Sequence, residues 1–177
     1  MEPLPRLRVR RAELLKETRK LVVDLRSALA FEVTHLSRGL TILAEVRRLC
    51  YERLNQIQHE ALLLEAASSL AASDFAGQEV EWSCNARQSG GSNEPDLQGR
   101  VGGCVVVSVE VTASDSPEGI LDTRMASTLS KLAGMPGKRV YCVRSAKMAK
   151  RAETKVKRAG HPIEVRVFPL ATGGGKA

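Results

Sequence analysis

Between Cys104 and Thr112 the run CVVVSVEVT alternates and is rich in β-branched residues, which predicts the clearest β-strand of the chain. Side chains at i and i+2 share a face. Val105, Val107, Val109 and Val111 are therefore expected on one side, and Cys104, Val106, Ser108, Glu110 and Thr112 on the other. Shorter runs predict strands over 79–86, 94–101, 138–143 and 163–168, with Gly102-Gly103 as a tight turn. Elsewhere the period is helical. Leu14, Leu21 and Ala28 recur every seven residues, as do Leu15, Val22, Leu29 and Leu36, predicting a helix over 9–36 that breaks at Ser37-Arg38-Gly39. A second long helix is expected from 41 to 72 on Leu43, Val46, Leu49, Cys50, Leu54, Ile57, Ala61 and Leu64. Ser116 as N-cap and Pro117 at the first helical position predict a helix reaching Ala133. A basic helix over 145–159 closes at Gly160-His161-Pro162.

This order divides the chain into an N-terminal helical arm (1–44), an α/β domain (45–170) and a short tail (171–177). Two long amphipathic segments can fold back as a hairpin or pair with another subunit, so a homodimer through the N-terminal helices is expected. The polar stretch Gln88–Asn93 has the composition of a hairpin link.

Composition narrows the class. The 177 residues are 43% hydrophobic and 27% charged, as in a globular domain, and no run of eighteen apolar residues suggests a membrane span. Four well-separated cysteines, without CxxC or partnered His spacing, read as free thiols in a reducing cytoplasm. The formal charge is +7, and from Lys138 to Leu170 ten Lys/Arg face two acids. That asymmetry points to a polyanion, with Lys138, Arg139, Arg144, Lys147, Lys150, Arg151 and Lys155 as candidate phosphate contacts. The bland reading is a solvated basic helix face. With only six aromatics, a stacking surface for single strands is not expected, and Trp82 and Tyr141 read as core.

Against this basic background two acids stand out. Asp96 follows Pro95 just before the second strand, and Glu110 lies near the end of the third. A carboxylate on a half-buried strand is costly to desolvate unless something positive or hydrogen-bonding meets it. Two of them converging on one face would seat a hard divalent cation such as Mg²⁺. The motif Asn93-Glu94-Pro95-Asp96 with Ser108-Val109-Glu110-Val111-Thr112, set in the order helix, three strands, helix, strand, helix, strand, resembles the PD-(D/E)xK nuclease superfamily over roughly residues 45–170. The resemblance implies a restriction-endonuclease-like α/β fold, a mixed central sheet flanked by helices. It implies a Mg²⁺- or Mn²⁺-dependent endodeoxyribonuclease acting on DNA. It assigns the metal to Asp96, Glu110 and the carbonyl of Val111, with Glu65 (or Glu60) from the preceding helix. The family's lysine two residues after the second acid is Thr112 here, and Lys131, or Arg124, from the following helix could take its place. On the same resemblance, Ser89–Asn93 of the polar link would be available for groove contacts.

Each acid also has a plain structural reading. Pro-Asp is a common turn dipeptide, and Glu110 could pair with Arg100 across the hairpin. The functional alternative is a non-catalytic nucleic-acid-binding protein on the same scaffold, consistent with Thr112 at the lysine position. A third is an assembly module built on the helical hairpin.

Overall fold

The computed structural model describes residues 2–3, 7–51, 53–85 and 94–170. They fall into two compact units, one helical (Pro5–Ala61) and one containing the sheet (Met1–Leu4 with Leu62–Ala177). The boundary lies inside a helix, seventeen residues beyond the expected arm of 1–44.

The helical unit contains α1 (Leu7–Leu29), α2 (Leu36–Tyr51) and the start of α3 (Arg53–Ser73). Leu14 and Leu21 of α1 and Leu49 of α2 are buried, the inner stripe that the seven-residue spacing marks out. Asp24 meets Arg53 at 2.7 Å and Arg10 meets Glu60, so contacts climb one segment as they descend the other. The chain therefore returns antiparallel to α1. The expected break at 37–39 is wrong. The chain leaves helix at 30–35, where Phe31, Val33 and Thr34 disfavour helix through restricted χ1. Gly39 instead lies in the first turn of α2, its N–H bonded to the His35 carbonyl at 3.1 Å.

The second unit is α/β. Strands β2 (Glu81–Cys84), β3 (Leu97–Val101), β4 (Cys104–Thr112), β5 (Lys138–Val143) and β6 (Glu164–Val167) form a mixed sheet, extended at one edge by the two-residue pairing of β1 (Glu2–Pro3). Strands lie in sequence order. β1 through β4 are antiparallel neighbours, whereas β4, β5 and β6 run parallel through two crossover helices, α4 (Ile120–Ala133) and α5 (Ala146–Ala159). Met125, Leu129 and Leu132 of α4 and Met148, Ala149 and Ala152 of α5 bury against Tyr141 and Val143 of β5. The alternate residues Val140 and Cys142 are buried as well, so β5 is covered on both faces. The end of α3 within this unit is apolar nearly all round, with Leu62, Leu63, Leu64, Ala66, Ala67 and Leu70 buried, as an interior helix requires.

Helix α4 starts later than expected. Ser116 does not cap it; its hydroxyl bonds Glu118, and Gly119 at φ 57° occupies the N-cap without a side-chain bond. Helix α5 follows its sequence signals: Ser145 Oγ accepts the Met148 N–H at 3.1 Å, and Gly160 ends it in the left-handed region.

Three local devices set the registers that matter. Gly102 and Gly103, at φ 56° and 81°, make the two-residue turn whose primed geometry matches strand twist and pairs Val101 with Cys104. A bulge then shifts the register by one between Gly99 and Arg100, so that Leu97 pairs with Val109. On the other side, Gly137 at φ 76° lies so close to β4 that an added Cβ would sit 2.6 Å from the Val106 carbonyl carbon. Ser108 Oγ donates to the Pro136 carbonyl at 2.8 Å, pinning the same loop. This aligns Val107 with Lys138, and hence Glu110 with Tyr141.

Candidate functional site

The bulge decides whether the two acids meet. Continuing the Leu97–Val109 register outward places Asp96 across from Glu110. Without the shift Asp96 would lie across from Val109, and a one-residue slip puts a side chain on the opposite face. As folded, Asp96 and Glu110 are both buried, and the charge of Asp96 acts on the Glu110 carboxyl. Asp96 is oriented by the backbone: its Oδ2 accepts the Val111 N–H at 2.9 Å, and its own carbonyl accepts the Asn85 N–H.

Lys131 completes the cluster. From α4 its Nζ reaches 2.7 Å from Glu110 Oε1. The approach is an ion pair rather than an aligned hydrogen bond, so this buried oxygen has no well-directed donor. The Lys131 side chain is 26% exposed against 4% for Glu110, which makes the lysine the outer member of the pair. Burial, and then the negative charge of Asp96, push the Glu110 carboxyl up to about 7 against the pull of Lys131. The strand is thus not the half-buried one expected: Val107 through Val111 are buried on both faces, and the acids sit in the interior rather than on an open sheet surface.

Thr112 is half-buried at the end of β4, and its Oγ1 lies 2.7 Å from the Tyr141 hydroxyl. Tyr141, read from sequence as core, is fully buried, and its phenol borders the acids closely enough to feel both charges. Its polar end escapes a reading by hydrophobicity. The signal that could have found it is register: Y in KRVYCV sits opposite E in SVEVT once the strands are known to be parallel.

The remaining expected ligands lie elsewhere. Glu65 is held by Arg144, a buried side chain that also donates to the Phe168 carbonyl at 3.1 Å. Glu60 belongs to the helical unit and takes Arg10. Arg100 lies beside Gln98, at 3.2 Å, and its strand partner is Val105, which removes the expected cross-hairpin pair with Glu110. Among the described residues no group of three or more His, Cys, Asp or Glu gathers.

Comparison with protein-family models, curated proteins and solved structures finds no match to this chain. The site therefore has to be judged on its own chemistry.

The basic residues are more engaged than their sequence suggests. Arg144 is buried and so cannot serve as a surface phosphate contact. Lys138 is held by Asp74 and Glu164, and Arg139 donates to the Met135 carbonyl at 2.7 Å. On α5, Lys147 meets Glu118 at 2.8 Å, while Arg151 and Lys155 converge on Asp122 of α4. Lys150 is exposed. Surface ion pairs of this kind contribute little, about 0–1 kcal/mol, so the α5 cations can exchange a carboxylate for a phosphate at small cost. The candidate link 88–93 lies outside the described residues. All four cysteines are free, and among the described residues no helix is long and apolar enough to cross a membrane.

Proposed function

We propose that the sheet unit is a metal-dependent endodeoxyribonuclease of the restriction-endonuclease-like class, with Asp96, Glu110 and Lys131 as its working residues. The observation that carries the reading is the meeting of two buried carboxyls with a lysine 2.7 Å from one of them, supplied by β4, α4 and the segment just before β3. Two buried acids side by side are a poor structural choice but a good seat for a divalent cation, which would relieve the repulsion that raises Glu110. The donor set is all oxygen and small, as suits Mg²⁺ or Mn²⁺, which keep waters and take their remaining ligands from substrate phosphates. Asp96 and Glu110 would hold the ion with the Val111 carbonyl. When bound, such an ion lowers the pKa of a coordinated water and offsets charge on the phosphate.

The chain's own groups do the rest. Asp96, fixed by the Val111 N–H, gives the seat its orientation. Glu110, its carboxyl pushed up to about 7, would have to give up its proton to serve as a ligand near neutral pH. Lys131, the outer member of its pair with Glu110, is placed to offer its ammonium to a phosphate at the same site. The exposed cations of α5 add sequence-independent, salt-sensitive contacts to the DNA backbone. The exposed Leu15, Val22 and Leu29 of α1 and Leu36, Leu40 and Leu43 of α2 support pairing of two copies, which would give one site per DNA strand. Free cysteines fit a cytoplasmic setting.

Plasmid cleavage in Mg²⁺ or Mn²⁺ tests the reading. Wild type is expected to nick or linearise DNA, Asp96→Ala and Glu110→Ala to lose activity by at least about a hundredfold, and Lys131→Met by about ten- to a hundredfold. DNA binding in Ca²⁺ should survive all three. Tight, salt-dependent binding without cleavage in either metal would instead establish a binding protein.

A further inference from the structure

We propose that the Thr112–Tyr141 hydroxyl pair is a phosphate-positioning device: Thr112 gives its hydroxyl proton to a non-bridging phosphate oxygen, and Tyr141 fixes the direction of that donation. The inference rests on the nuclease reading and adds to it two residues that carry no charge.

The geometry begins with register. Tyr141 pairs with Glu110 across parallel strands, and Thr112 lies two residues beyond Glu110, so all three share one face of the sheet. The Tyr141 ring belongs to the core formed with Leu129 and Met148, which holds it in place. Its hydroxyl emerges from that core 2.7 Å from Thr112 Oγ1.

Proton counting gives the direction. Two hydroxyls in contact use one proton between them and leave the other to be donated elsewhere. Tyr141 is fully buried and Thr112 half-buried. A buried O–H left without an acceptor is costly, whereas a partly exposed one can turn to water or ligand. Tyr141 therefore donates and Thr112 accepts, which leaves the Thr112 proton for an acceptor outside the pair.

The ligand class follows from what surrounds this donor. An anion approaching Asp96 and Glu110 needs donors to offset the two carboxylates. Lys131 supplies a charged one and Thr112 a neutral, directional one. A phosphodiester, with two non-bridging oxygens, can take both at once.

Steady-state cleavage of a DNA duplex in Mn²⁺, with duplex affinity measured in Ca²⁺, provides the test. Thr112→Val is expected to lower kcat at least tenfold while duplex affinity changes less than threefold, and Thr112→Ser to restore kcat to within threefold of wild type. Tyr141→Phe should lower kcat three- to tenfold, and the double variant should be no slower than Thr112→Val alone. An active wild type with Thr112→Val cleaving at full rate overturns this inference and leaves the nuclease reading standing; so do Tyr141→Phe and Thr112→Val effects that multiply. If Tyr141→Phe does not fold, the Val and Ser variants of Thr112 decide the matter. A wild type inactive in both Mg²⁺ and Mn²⁺ overturns the nuclease reading and this inference with it.

Discussion

At the residue scale the decisive group is Glu110. Its carboxyl rises from an ordinary 4.5 to about 7 on folding, chiefly because it is buried and secondly because Asp96 is beside it. Between those values the folded chain holds a proton that the unfolded chain has released. Stability must then fall as pH rises through this window, with the contribution level below 4.5 and above 7. The metal-free protein should lose on the order of 1–3 kcal/mol relative to Glu110→Gln across the window, measured by urea unfolding in EDTA. Parallel pH profiles for the two proteins would show that Glu110 is not the strained group described. Saturating Mn²⁺ should flatten the wild-type profile, since a bound cation stabilises the ionised form. Asp74 behaves in the opposite sense. Bonds from Arg166 and Lys138 hold its carboxyl well below the usual range, so its contribution fades only in acid and does not overlap.

At the element scale, small backbone devices aim large consequences. The strand CVVVSVEVT and the basic helix ending at Gly160 were legible because period and capping chemistry are local properties. The start of α4 was not, since the Ser116 hydroxyl prefers Glu118 and Lys147 to a helix N-terminus. Nor was the bulge, which depends on how β3 lies against β4. Gly137 offers the cleanest test of how an element positions the site. Gly137→Ala demands a positive φ from an L-residue and drives a methyl into the β4 backbone. It should destabilise the protein by about 2–4 kcal/mol in chemical denaturation and shift β5 against β4. A neutral Gly137→Ala would mean that the loop does not set this register.

At the scale of the whole molecule, the helical unit carries a second, exposed apolar stripe. Leu15, Val22 and Leu29 sit one residue beyond the inner stripe of Leu14, Leu21 and Ala28, and they are exposed. Leu36, Leu40 and Leu43 on α2 are exposed in the same manner, at spacings of four and three. In an antiparallel helix pair, stripes displaced one step on both helices fall on the same side, the kind of apolar face that a four-helix bundle of two hairpins would bury. Sedimentation equilibrium at micromolar concentration should therefore report a dimer, and a triple Leu36, Leu40 and Leu43→Ser variant a monomer. A wild type monomeric throughout that range would sink the pairing.

The sequence by itself determined the helical and strand periods, the basic C-terminal helix, the tight glycine turn and the residue types of an acidic site, because each depends on neighbours a few positions away. It named Asp96, Glu110 and Lys131 as candidates, but the shared face it assumed does not follow from alternation and the Gly102-Gly103 turn alone. Only the tertiary structure decided that the acids meet, through a bulge that moves β3 by one residue against β4. It also decided that Glu65 belongs to Arg144, and that several surface cations are already paired. Pairing across tens of residues depends on which strand lies beside which, and a single register shift of one residue reverses the face on which a side chain appears.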